Sequence, residues 1–187
     1  MSGPRLIAHL SGTHDLLTAT ASTLNCGAPS APERVTQVIE ERRRAEKRVA
    51  DLEIEMAKNI AHGMMLNMNT AADDTRTIYT KHIHRVDDTT NALGFLNAIS
   101  LAFVAEQPSS PHLFVLSSSP SVQTSTGTSV ILVFGWDEKK VKDVGEALKS
   151  GLGVKGGGRG ARWSGKFTGV WKHGREDSMI ENMIRNV

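Results

Sequence analysis

Residues 151–170 read Gly-Leu-Gly-Val-Lys-Gly-Gly-Gly-Arg-Gly-Ala-Arg-Trp-Ser-Gly-Lys-Phe-Thr-Gly-Val and concentrate more chemistry than any other stretch of the chain. Glycine accepts positive φ and lets a backbone come close to another surface, so that successive N–H groups can face an anion. Lys155, Arg159, Arg162 and Lys166 bring four cations to the same place. Trp163 and Phe167 add flat rings on which an unpaired base can stack, a contact worth about 1–3 kcal/mol per base. With Gly156, Gly157 and Gly158, these six side chains form the expected nucleic-acid contact. The stretch is not a Walker loop, because no Gly-Lys-Ser/Thr closes it. Nor is it a dinucleotide fingerprint, because it is expected to follow a helix rather than open one after a strand. A glycine-rich bend buried for packing alone gives the same composition.

Catalytic and metal chemistry find less support. The histidines stand at 9, 14, 62, 82, 84, 112 and 173, no two of them four apart, and Cys26 is the single cysteine. That excludes an internal disulfide framework and a cysteine-built zinc knuckle. His82 and His84 fall on one face of an expected strand and can hold a metal, but no third ligand is evident, so they are taken as solvated or core histidines. No nucleophile–base pair has a defensible spacing. The expectation is a chain that is no enzyme on its own, with no cofactor and no metal site.

Charge supports a polyanionic partner. Residues 139–175 hold ten basic and two acidic residues, a surplus of eight positive charges, whereas the rest of the chain has twelve basic and eighteen acidic ones. A basic block beside an acidic remainder suits nucleic acid, although a solvated surface that keeps the protein soluble would show the same block.

The elements that position these groups follow from periodicity. With 187 residues, 39% of them hydrophobic and 22% charged, the chain is long enough for one domain plus an appendage. Residues 13–24 suit a short helix ending at Asn25 and Gly27, and Ser30-Ala-Pro-Glu33 gives a capping box for a second. Val35, Val38, Arg42, Ala45, Val49, Leu52 and Met56 then recur alternately three and four residues apart, a heptad seam over about three repeats. Val35, Val38, Val49, Leu52 and Met56 are the expected dimerisation residues. Seven basic and seven acidic residues cancel over 31–62, so this arm serves pairing or docking rather than anion binding. It spans 1–66, as a helical hairpin or coiled coil; a long helix lying on its own domain fits the pattern equally.

Residues 70–187 are expected to form a small α/β domain with a mixed sheet. Strand character appears at 77–84, 113–117 and 129–134. A helix capped by Asp87 or Asp88 runs to about Gln107, another runs from Asp137 to a stop at Gly151, and a short one covers 176–186. The hydroxyl-rich stretch 117–129 suits a flexible connector. No apolar run approaches the roughly 18–20 residues needed to span a bilayer, and no secretory leader is evident, so a cytoplasmic location without membrane contact is expected.

Lys155-Gly-Gly-Gly-Arg159, with the bend up to Gly165, resembles the Gly-Gly-Lys-Gly-Gly-Gly-Arg signature of the DHH-associated C-terminal domain, which ends alanyl-tRNA synthetases and the longer AlaX-type editing proteins. Ser2-Gly-Pro-Arg-Leu-Ile and the helices after it are similar to the segment preceding that domain, so the resemblance covers nearly the whole chain. Val154 replaces the signature's second glycine, and Gly160-Ala-Arg-Trp163 replaces its usual aspartate and alanine. The family's zinc-binding His-x-x-x-His and Cys-x-x-x-His strings are absent from the sequence, as is Asp-His-His. The resemblance implies a non-catalytic module that binds tRNA or another structured RNA and pairs through its arm as a homodimer. Two alternatives stand beside it: the accessory part of an AlaX-like aminoacyl-tRNA editing hydrolase whose catalytic domain is absent from this chain, being a separate partner or part of a longer natural chain, and a protein-interaction scaffold built on the arm.

Overall fold

The computed structural model describes residues 3–71, 78–89 and 91–186. Ser2 and Thr77, expected in the entry segment and the first strand, lie outside the described residues. The chain is an α/β fold. Helix α1 covers Gly3–Thr23, a 3-10 turn Ala28–Ser30 follows, and α2 runs from Ala31 to Ala71. Then come β1 (Tyr79–Val86), α3 (Ala92–Ala105), β2 (His112–Ser119), β3 (Thr128–Gly135), α4 (Glu138–Leu152), β4 (Lys155–Arg159), β5 (Arg162–Thr168) and α5 (Arg175–Arg185).

Packing divides the chain into one unit up to Leu52 and a second from Glu53 onward. In the first unit, α1 begins ten residues before the expected helix start. Only Ala21 and Ala31 are buried among its described residues. Leu6, Leu10, Leu16 and Leu17 of α1 are exposed, as are Val35, Val38, Val49 and Leu52 of α2. The apolar seam predicted along α2 thus reaches the surface without a cover from this unit.

In the second unit the five strands form one mixed sheet in the order β1-β2-β3-β5-β4. Strands β1 and β2 are parallel, joined through α3, and every other neighbouring pair is antiparallel. Side chains alternate between the two faces. One face gives Phe114, Leu116, Leu132 and Phe134 to a core shared with Phe95, Leu96, Ile99 and Phe103 of α3 and with Ala57, Ala61, Met64, Met65 and Met68 of α2. These five α2 residues belong to the second unit, which starts at Glu53. The opposite face gives Leu113, Val115, Ile131 and Val133 to a core with Val141, Val144 and Leu148 of α4 and Ile180 and Ile184 of α5.

Local signals set most boundaries. Asp137 caps α4 as expected, its carboxylate accepting from the Lys139 and Lys140 N–H groups. The helix passes through Gly151 and stops at Gly153, which takes the left-handed conformation at φ +67. The cap of α3 is Asn91, which accepts from the Gly94 N–H. Asp88 is engaged elsewhere, accepting from the Ser121 N–H at 2.7 Å and the Ser121 hydroxyl at 2.6 Å. Ser118 and Ser119, expected in a connector, are buried residues of β2, as is Ser117 at the end of the expected strand.

Candidate functional site

The glycine-rich stretch is a β-hairpin rather than a flexible bend. Strand β4 is a sheet edge, pairing only with β5, and Gly160 (φ +65) and Ala161 form the turn between them. Two of its three glycines have a steric reason. A Cβ at Gly156 would run into the Ser164 carbonyl oxygen, and one at Gly158 into that of Arg162. The edge strand lies so close to its neighbour that these two positions tolerate no side chain.

The register brings the four expected cations together. Lys155 faces Lys166, and Arg159 faces Arg162, with Gly157 and Ser164 between them. Residues opposite one another share a face, so all four project from one side of the hairpin. That side continues the face of Val130, Leu132 and Phe134, which pair with Lys166, Ser164 and Arg162. Lys155, Arg159 and Lys166 are exposed and Arg162 half-buried. None of the four takes part in a salt bridge among the described residues. Lys166 lines a cleft that Asp87 and Asp88 also border. A further cleft of about 470 Å³ lies between α4 and the hairpin, lined by Lys139, Lys142, Lys149 and Arg162 together with Glu138 and Glu146.

The aromatic part of the expectation is corrected. Trp163 is 3% exposed and belongs to the α4–α5 core. It alternates with Arg162 and Ser164 along β5, so its ring points away from the cations. Gly145 and Gly165 make room for it, since a Cβ at either would meet the ring at 2.6–2.7 Å. No base can stack on it without opening the core. Phe167 is half-buried and packs edge-on against Trp171, with ring centroids 5.7 Å apart. The exposed indole is Trp136, 59% accessible.

A second cluster lies on the other face, at the β1 edge. His82 Nε2 and His84 Nδ1 each lie 2.8 Å from the Ser117 hydroxyl, and His84 Nε2 lies 3.1 Å from Ser119. From α5, Asp177 approaches His82 Nδ1 to 3.9 Å and His173 Nδ1 to 3.7 Å. Its carboxylate accepts from the Trp171 indole and from the Gly174 N–H. His84 stacks on Trp171 at 4.7 Å and meets the edge of His173 at 4.8 Å. Burial pushes His82 down to about 4, against the pull of Asp177. His84 is also lowered, chiefly by burial. Burial works to raise Asp177, but the Gly174 N–H, the two imidazoles and the indole hold it below the ordinary carboxylate value.

The His-x-His spacing was a sequence signal for this cluster; its partner Asp177 was not, because only tertiary packing brings α5 against β1. No protein-family model matches this chain, and none of the curated proteins matches it.

Proposed function

We propose that the β4–β5 hairpin is a docking face for a nucleic-acid backbone, and that the chain is a non-catalytic RNA-binding module. One observation carries the reading: two cross-strand pairs of like charge, Lys155/Lys166 and Arg159/Arg162, stand on an accessible sheet face with no salt-bridge partner among the described residues. Like charges directly opposite one another destabilise a sheet, and phosphates arriving along the ladder relieve that repulsion. Affinity then comes from phosphate contacts and is salt-dependent. The resemblance to the C-terminal domain of alanyl-tRNA synthetase favours tRNA within this class. With Trp163 buried, the face binds by charge and shape rather than by stacking.

The test is filter binding of total tRNA at two salt concentrations. The double variant Lys155→Ala/Arg159→Ala should bind more weakly, and its salt slope should fall by about 1 for each phosphate it no longer engages. Unchanged affinity and slope would overturn the reading.

A second reading concerns the arm. Val35, Val38, Val49, Leu52 and Met56 are all exposed, and the ion pairs Arg42–Glu46 and Arg44–Glu40 lie on the same helix. An uncovered apolar seam on a charged helix suits pairing with a second copy.

A further inference from the structure

We propose that His82, His84 and Asp177 form a binding site for one divalent transition metal, with Zn²⁺ the ion that fits and His173 supplying the fourth ligand. One ligand atom from each of the first three residues can be chosen so that all lie within 4.8 Å of one another. A tetrahedral zinc site has metal–ligand bonds of about 2.0–2.1 Å, which place neighbouring ligand atoms about 3.3 Å apart. His82 Nδ1 and Asp177 Oδ1 are already 3.9 Å apart, and His173 Nδ1 and Asp177 Oδ2 are 3.7 Å apart. Closure draws the ligand atoms of the first three residues in from separations of up to 4.8 Å by side-chain rotation. His173 is more than half exposed, so it is the ligand of the four that faces solvent most.

The surroundings suit a metal as well as the ligands do. Metal-bound imidazoles usually engage their other nitrogen in a hydrogen bond, which fixes the tautomer and ring orientation. Here Ser117 takes Nε2 of His82 and leaves Nδ1 directed toward Asp177. Whichever nitrogen His84 offers, the other keeps Ser117 or Ser119. The Trp171 indole and the Gly174 N–H orient the Asp177 carboxylate. Two imidazoles and a carboxylate form a borderline donor set suited to zinc and its neighbours rather than to Mg²⁺ or Ca²⁺.

The order Ser117–His82–Asp177 also matches that of a nucleophile, base and orienting acid, but Ser117 is 0% exposed and its hydroxyl is shared by two imidazoles. A substrate cannot reach it, so the geometry favours an ion. Bound there, the ion would tie strand β1 to helix α5. The site shares no residue with the hairpin and stands whether or not the hairpin binds RNA.

The test uses the full chain, stripped with chelator and then titrated with Zn²⁺ or Co²⁺, with Mg²⁺ as the contrasting ion. Expected are one Zn²⁺ per chain by native mass spectrometry, a higher melting temperature, Co²⁺ absorption of the tetrahedral type, and no response to Mg²⁺. His84→Gln and Asp177→Asn, checked for folding by circular dichroism, should each lose about 100-fold in affinity. His62→Gln, an exposed histidine elsewhere, should bind as the unaltered chain does. Sub-stoichiometric uptake, or zinc binding unaffected by His84→Gln and Asp177→Asn, would overturn the proposal.

Discussion

Lys155 stands directly opposite Lys166 across the β4–β5 ladder, two ammonium-bearing side chains on one face of a sheet edge. Like charges directly opposite one another destabilise a sheet, so stability does not account for the pair. Lys166→Glu converts the repulsion into a cross-strand ion pair. The variant should gain up to about 1 kcal/mol in urea denaturation while binding tRNA more weakly than the unaltered chain. Loss of both stability and binding would show that Lys166 serves the fold, and relief of repulsion would no longer account for the pair.

Trp163 defines what the hairpin contributes to the core. Its ring fills the space left by Gly145 and Gly165 under α4. Trp163→Ala should cost about 3–5 kcal/mol, as for other large core aromatics. Where the variant is still folded, its tRNA affinity should match that of the unaltered chain. Weaker binding by a folded Trp163→Ala chain would give the indole a stacking role after all.

Gly158 makes a companion case. A methyl group there would press on the Arg162 carbonyl oxygen and the Trp163 backbone, so Gly158→Ala should lower the melting temperature and loosen the edge strand. Gly157, where a Cβ would meet nothing within 4 Å, should accept alanine with little change. Equal melting temperatures for the two variants would contradict the close strand approach.

These residues also show where the sequence was legible. The apolar runs of β2 and β3 and the Asp137 cap depend on local patterns, and the structure follows them. Strand β4 leaves no such trace, since Lys-Gly-Gly-Gly-Arg has neither apolar alternation nor β-branched residues and is specified by the backbone of β5. Trp163 looked like a stacking platform because its neighbours Arg162 and Lys166 are charged. The strand period of two sends it to the opposite face, and that period is visible only once β5 is known to be a strand. Likewise, Asp177 is separated from His82 by most of the domain's sequence, and only the packing of α5 on β1 joins them.

His112 gives the fold a pH dependence. It is 5% exposed, lies 3.0 Å from the Ser110 carbonyl through Nδ1, and meets the edge of Phe103 at 5.0 Å. Burial lowers its pKa, and the Ser110 carbonyl offsets this in part. The unfolded chain therefore takes up a proton below about pH 6.5 that the folded chain refuses, so stability is full above that value and declines as the pH falls toward the folded pKa. In metal-free protein His82, at about 4, acts in the same direction. His112→Asn, which keeps an N–H for Ser110, should show a shallower decline as the pH falls below about 6.5 in urea titrations. An identical slope would remove His112 as a source.

The arm and the second unit should separate experimentally. A chain starting at residue 53 keeps Ala57, Ala61, Met64, Met65 and Met68, and with them every buried side chain of both cores. The residues it lacks include only two buried ones, Ala21 and Ala31, among those described. Its melting temperature should therefore stay within a few degrees of that of the full chain. A chain starting at residue 72 would uncover Phe95, Leu96 and Phe103 and should melt far lower or aggregate. Sedimentation velocity then isolates pairing: the full chain should run as a dimer, and the chain from residue 53 as a monomer. A monomeric full chain would dispose of the arm as a dimer interface while leaving the hairpin reading intact.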